Sequence, residues 1–196
     1  SITKVMTCLL TLEAVDRGEL SLEQTVTASS ALHTGIGEGA STADIKEGEQ
    51  IRIIDLLYAA LIPSANEACN VMAEAVSGDV ASFVELMNTR AAELGMENTH
   101  FACCAGLDNE GHYSTARDIA LMSRALLRYP KITDYTTIWM DTLRNGATSL
   151  VNTNRLVRFY QGATGLKTGT TNGAGCCLSA SASRDGLGLI LSLIHI

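Results

Sequence analysis

The chain has no cluster of lysines and arginines. Its 14 basic residues are scattered among 21 acidic ones, for a net charge of −7. Without a basic face, nucleic acid is excluded as a partner. No apolar run reaches the roughly 20 residues a bilayer span needs; the longest candidates are Leu56 to Pro63 and Gly186 to Ile196. There is no Cys-x-x-Cys pair. Six cysteines stand at positions 8, 69, 103, 104, 176 and 177, and four histidines are dispersed, so zinc-ligand spacing is absent. Adjacent cysteines bridge poorly and point to opposite faces of a strand, so the thiols read as small buried groups. No repeat and no linker divides the chain. It carries no initiator methionine and no signal peptide, and it opens inside a predicted helix and stops inside a predicted strand. It therefore reads as a fragment holding one domain, residues 1–196.

What is present is a globular composition. The 196 residues are 46% hydrophobic and 18% charged, enough for one domain with a substantial core. Apolar residues at 2, 5, 6, 9, 10 and 12 predict a helix over Ile2 to Arg17, stopped by Gly18. Thr25 to Thr27 suits a short strand, and Asp44 to Ile53 a small hairpin turning at Glu47-Gly48. Helices follow over Asp55 to Leu61, from Ser64 to Val76, and from the Asp79 cap to Leu94. Thr115 and Asp118 resemble a capping box for a helix running to Tyr129. Ile138 to Leu143 and Ser149 to Val151 are weak strands. After Gly162 the pattern is strand, hairpin, strand, turn at Arg184-Asp185-Gly186, and strand, with Asn172-Gly173 as the hairpin signal. Helices first and antiparallel strands last make the class α+β.

Three motifs carry chemistry: Ser1-Ile2-Thr3-Lys4, Ser64-Ala65-Asn66 and Lys167-Thr168-Gly169. A Ser-x-x-Lys arises about once by chance in a chain this long, and Lys-Thr-Gly about a few times in a hundred. Their contexts strengthen them. Ser1 and Lys4 share one face of a helix start. Ser64 and Asn66 follow a proline before a helix. Neighbours on a strand point to opposite faces, so Lys167 and Thr168 serve one ligand only at an edge strand. Gly169 admits close approach there.

The pattern suits nucleophilic acyl transfer. A serine hydroxyl needs a base within hydrogen-bond reach. Lys4 serves as that base if neutral, and burial beside a second cation, Lys167, lowers its pKa. The helix N-terminus favours an oxyanion at Ser1. Ser64 can relay a proton to a leaving amine, Asn66 can orient Lys4 and bind a substrate amide, and Lys167 with Thr168 suits a carboxylate. Taken singly, each has a plainer reading: a solvated helix lysine, Ser64 as an N-cap with Asn66 in a turn, a surface strand lysine.

The sequence resembles the serine D-Ala-D-Ala carboxypeptidases, the low-molecular-mass penicillin-binding proteins. Carrying the resemblance are Ser-Ile-Thr-Lys-Val-Met-Thr, Pro-Ser-Ala-Asn-Glu-Ala-Cys, Asn-Thr-His-Phe followed by Gly-Leu-Asp, Tyr-Ser-Thr-Ala-Arg-Asp, Asn-Thr-Asn-Arg-Leu and Thr-Gly-Leu-Lys-Thr-Gly-Thr-Thr. It implies a β-lactamase/transpeptidase-like fold, a helical cluster packed on an antiparallel sheet, here expected to be truncated at both ends, lacking the family's segment before the nucleophile and its C-terminal sheet strand or helix. Ser1 would attack the penultimate D-Ala carbonyl of a peptidoglycan stem peptide, with Lys4 as base and Ser64 as shuttle. Asn66, Lys167, Thr168, Gly169 and Thr170 would bind substrate, and the N–H groups of Ser1 and Thr170 would form the oxyanion hole. Penicillin and other β-lactams would acylate the same serine. No metal or organic cofactor is implied. The location implied is the outer face of the bacterial cytoplasmic membrane or the periplasm, with membrane attachment only through parts absent from this chain.

Two other readings compete. A serine β-lactamase shares Ser-x-x-Lys and Lys-Thr-Gly. The commonest class is expected to carry a Glu-x-x-Leu-Asn loop, which none of Glu67, Glu74, Glu85, Glu93, Glu97 or Glu110 begins, and it has Asp where this chain has Ala65. A non-catalytic peptidoglycan- or penicillin-binding fragment is the other; it would bind stem peptide reversibly and leave no acyl adduct.

Overall fold

A computed structural model describes residues 2–195. The first helix, α1 (Lys4–Asp16), buries ten of its thirteen residues. The sequence pattern predicts a single apolar stripe, yet Thr7, Cys8 and Thr11 are buried too. The reason is position: the helices α2 (Ile53–Leu61), α3 (Glu67–Ser77), α4 (Val80–Glu93) and α5 (Ala116–Leu126) all pack on α1. Its buried hydroxyls are satisfied, since Thr7 Oγ1 donates to the Cys104 carbonyl at 2.7 Å and Thr11 Oγ1 to the Thr7 carbonyl at 2.9 Å.

Most element ends follow the sequence. Asp79 caps α4 by accepting from the Ser82 N–H at 2.8 Å. Gly78 ends α3 in the left-handed region, φ +82°. Thr115 caps α5, but the box is not reciprocal: Asp118 Oδ2 instead accepts from the Asn98 N–H and Thr99 Oγ1, at 2.9 and 2.8 Å. α5 stops at Leu126 and not at Tyr129, because the Arg128 and Tyr129 N–H groups turn to carbonyls three residues back. Pro130 then opens α6 (Lys131–Thr136), which the sequence pattern does not announce.

The expected hairpin over 44–53 does not form. The strand β2 (Gln50–Arg52) pairs with β1 (Thr25–Thr27), Val26 opposite Ile51. Asp44 has φ +58°, which breaks strand geometry, and the Ala43 carbonyl is taken by Arg144 Nη1 at 3.0 Å. A second small pair joins β3 (Met140–Leu143) to β4 (Thr148–Val151).

The last third is an antiparallel sheet of β5 (Ala163–Thr171), β6 (Gly175–Arg184) and β7 (Leu187–Leu193) in that order, leaving β5 at an edge. Lys167 sits opposite Ser179, and Ser179 Oγ meets Ser123 Oγ of α5 at 2.7 Å, so this face looks toward the helices. A short helix, α7 (Leu156–Phe159), precedes β5. The Asn-Thr-Asn segment before it is structural. Asn152 Nδ2 donates to the Ile138 carbonyl at 2.8 Å, and Asn154 Nδ2 to the Gly165 carbonyl at 3.0 Å. The fold is α+β, as expected. Among the described residues no helix is long and apolar enough to cross a membrane. All six cysteines are free; Cys8, Cys69 and Cys104 are buried as expected, but Cys176 is exposed. Cys176 stands opposite the exposed Thr170 on the β5–β6 ladder, where the sheet edge meets solvent.

Candidate active site

Lys4 opens α1, and its side chain turns inward. It is 1% exposed. Its Nζ donates to Asn66 Oδ1 and to the Ala105 carbonyl, both at 2.7 Å. Ala105 lies in the loop between α4 and α5, which the Thr7–Cys104 bond holds against the same helix. Asn66 is 3% exposed and fixed from behind, with its N–H and Nδ2 both donating to the Ser41 carbonyl at 3.0 Å. Burial lowers the Lys4 pKa, with the nearby thiols opposing. A neutral amine has two hydrogens and one lone pair. In that form, with both hydrogens engaged by Asn66 and Ala105, the lone pair would be left for a proton.

Ser64 is 5% exposed and has φ +69°, in the tight turn between α2 and α3. It is not the N-cap of α3; Asn66 occupies that position. Strain of this kind aims a side chain off the helix path and is found where sites are built.

On the edge strand β5, Lys167 is also 1% exposed, and its Nζ donates to the Thr168 carbonyl at 2.9 Å. Burial first, and Lys4 second, push its pKa down to about 7. The edge position of β5 allows the arrangement: Lys167 faces inward while half-buried Thr168 faces outward, its Oγ1 donating to Thr153 Oγ1 at 2.6 Å.

A cleft of about 430 Å³ is lined by Ser64, Asn66, Thr170 and the glycine-rich run 35–41. A second cavity of about 610 Å³ is lined by Gly169, Thr170, Thr3 and His112. Asp108 borders both, and its Oδ2 accepts from the Gly173 N–H at 2.9 Å, tying the tip of the β5–β6 hairpin across. The Thr171 hydroxyl and this N–H lower the Asp108 pKa.

The structure thus gathers Ser64, Asn66 and Thr170 on one cleft, with Lys4 bonded to Asn66 and near enough to Lys167 to lower its pKa, while Lys167 and Thr168 are not among the residues that line it. Gly169 is buried and lines the adjoining cavity. Ser1 lies outside the described residues. The sequence gives no sign of Ala105, which acts through its backbone, nor of His112, whose ring meets Thr3 at 2.8 Å.

A profile of the D-alanyl-D-alanine carboxypeptidases, peptidase family S11, matches residues 1–195. The chain belongs to that family. It is 42% identical over 190 residues to the D-alanyl-D-alanine carboxypeptidase DacF of Bacillus subtilis, covering 95% of this chain and 48% of that protein. Penicillin binding protein 6B from Escherichia coli superposes with a TM-score of 0.92 at 33% identity, over 99% of this chain and 62% of the other. Penicillin-Binding Protein D2 from Listeria monocytogenes, in its ampicillin bound form, gives 0.85 at 34% identity, over 99% and 78%. This chain therefore spans about half the length of DacF. The family that the motifs suggested, and its fold, are both confirmed.

Proposed function

We propose that this chain carries the acyl-transfer centre of a serine D-alanyl-D-alanine carboxypeptidase. The observation that carries the reading is Lys4: a buried lysine whose amine gives its hydrogens to Asn66 Oδ1 and the Ala105 carbonyl, with its pKa lowered by burial. A lysine general base requires a shift in that direction and partners that hold it in place. In this reading Lys4 takes the Ser1 hydroxyl proton as Ser1 Oγ attacks the penultimate D-Ala carbonyl of a stem peptide. The tetrahedral oxygen is held by the Ser1 and Thr170 N–H groups. Ser64 passes the proton to the departing D-Ala amine, the C–N bond breaks, and water hydrolyses the acyl-serine. Lys167 and Thr168 hold the terminal carboxylate, with Gly169 admitting it to the strand edge and Asn66 taking the substrate amide.

The same chemistry makes β-lactams acylating ligands, and a relative in its ampicillin bound form supports that partner. A peptidoglycan substrate puts the site of action outside the cytoplasmic membrane. The test is intact-protein mass spectrometry after incubation with ampicillin, on this chain and on Ser1→Ala. One lasting adduct, absent from Ser1→Ala, is the expected result. Rapid consumption of ampicillin without an adduct would favour a β-lactamase. No reaction by a chain that circular dichroism shows to be folded would favour a non-catalytic binding fragment.

A further inference from the structure

His112 is fixed through both ring nitrogens. Its Nδ1 accepts from the Ala102 N–H at 3.0 Å. A backbone N–H can only donate, so Nδ1 is the unprotonated nitrogen and Nε2 carries the hydrogen. Nε2 therefore donates to Thr3 Oγ1, 2.8 Å away. Burial pushes the ring's pKa down to about 4, which keeps this tautomer neutral. The backbone beneath is held as well: the His112 N–H bonds the Asn109 carbonyl at 3.1 Å, and His100 and Tyr113 exchange two bonds at 3.0 and 3.1 Å. Phe101 packs its ring edge-on at 5.8 Å.

Thr3 sits at the cap position of α1, yet its side chain makes no capping bond. Its backbone is already helical, φ −46° and ψ −31°, so Thr3 belongs to the first turn and its hydroxyl is not directed at the first-turn N–H groups. Here the hydroxyl is given to His112 instead. Thr3 lies between Ser1 and Lys4, in a first turn that frays unless something external holds it. Lys4 is clamped from one side by Asn66 and Ala105, and Thr3 from the other by His112.

We propose that His112 is a positioning residue, whose Nε2–H bond to Thr3 holds the first turn so that the Ser1 hydroxyl stays within reach of Lys4. The proposal rests on the acyl-transfer reading above. A misplacement of about 1 Å at a reacting group can cost on the order of a hundredfold.

The test is the acylation rate by ampicillin, followed by mass spectrometry, in the wild-type chain, His112→Ala, His112→Gln, Thr3→Val, Thr3→Ser and the H112A/T3V pair. His112→Ala and Thr3→Val are each expected to slow acylation about ten- to a hundredfold. The pair should be no slower than either alone, because both remove one interaction. Glutamine offers an acceptor and a donor and serine restores the hydroxyl, so both should recover most of the rate. A purely structural role would lower the unfolding midpoint and leave the folded fraction's rate unchanged. A folded His112→Ala acylated at the wild-type rate, or multiplying losses in the pair, overturns the proposal; if His112→Ala does not fold, a folded Thr3→Val at the wild-type rate does the same. A wild-type chain that takes no adduct removes the acyl-transfer reading and this inference with it. Imidazole nitrogen-15 shifts give an independent readout: an Nε2–H tautomer at pH 7 is expected in both chains, with the Nε2 resonance moving in Thr3→Val as its hydrogen bond is lost, and an Nδ1–H tautomer contradicts the geometry.

Discussion

Lys4 Nζ lies 2.7 Å from Asn66 Oδ1, and neither residue is more than 3% exposed. The pair joins the first turn of α1 to the start of α3, so the base is held by two helices at once. Replacing Lys4 with alanine should lower the ampicillin acylation rate by about 10²- to 10⁴-fold, the usual contribution of a positioned general base. Stopped-flow or mass-spectrometric acylation rates check this. A Lys4→Ala chain that acylates within threefold of wild type would assign proton removal to another group.

Lys167 gives a pH signature. Its folded pKa is about 7, against roughly 10.4 in an unfolded chain. Above pH 7 the unfolded state binds more protons at this residue, so its contribution to stability rises with pH, by up to about 1.4 kcal/mol per unit. The buried thiols act oppositely: Cys69 is raised to about 11 and Cys8 upward as well. Unfolded thiols ionise near 8.5, and above that they erode stability as pH rises. The clean window is therefore pH 7 to 8.5. In urea unfolding, Lys167→Met should be more stable than wild type near pH 6, and that advantage should shrink as pH rises through the window. Parallel curves for the two chains would contradict a depressed Lys167 pKa.

How far the sequence foretells this molecule differs from segment to segment. The run after Gly162 reads directly as β5, β6 and β7: Asp185 and Gly186 both take the positive φ that their turn demands, whereas the hairpin signalled by Asn172-Gly173 places its left-handed residue at Gly175 instead. Lys167 and Thr168 diverge across an edge strand as the two-residue period requires. The failures are tertiary. Gln50 to Arg52 has a strand partner 25 residues back, which local pattern cannot choose, and Asp44 departs from the strand because Arg144 claims the preceding carbonyl. α1 shows one apolar stripe in sequence, yet its polar Lys4, Thr7 and Thr11 are buried because their partners come from distant loops or the helix backbone. Ala105 and His112 stayed invisible for the same reason: one acts through a carbonyl, and the other through a tautomer fixed by a backbone N–H.

The cysteines should label in a set order. Reactivity follows exposure and thiolate fraction. Cys176 is exposed, whereas Cys8, Cys69 and Cys104 are buried, Cys104 with its pKa raised by burial beyond the ordinary thiol range. Brief treatment of the native chain with iodoacetamide should alkylate Cys176 first, and these three only once urea unfolds the chain. Peptide mapping reads the order. Early labelling of Cys104 would mean that the loop carrying Ala105 opens in the native state, and with it one of the two clamps on Lys4.

Glu67 anchors the glycine-rich wall of the cleft. It is 4% exposed, and its Oε1 accepts from Thr42 Oγ1 at 2.6 Å and from the Ala43 N–H at 2.7 Å. The neighbouring Asn66 holds the Ser41 carbonyl by two bonds, so the loop is fastened to the first turn of α3 at three consecutive residues. Glu67→Ala leaves the Ala43 N–H without its acceptor and should cost about 1–3 kcal/mol. The loss is expected to be local as well as global. Residues 34–43 carry several glycines and few packed side chains, so once released they should be cut first by a protease of broad specificity. Because Asn66 also orients Lys4, loosening its Ser41 anchor should slow acylation, though less than Lys4→Ala does. Urea midpoints, time-resolved proteolysis and ampicillin acylation measure the three effects together. If Glu67→Ala lowers the midpoint but leaves the loop as resistant as before, Asn66 alone is enough to hold the wall, and the acylation rate should then remain that of the wild-type chain.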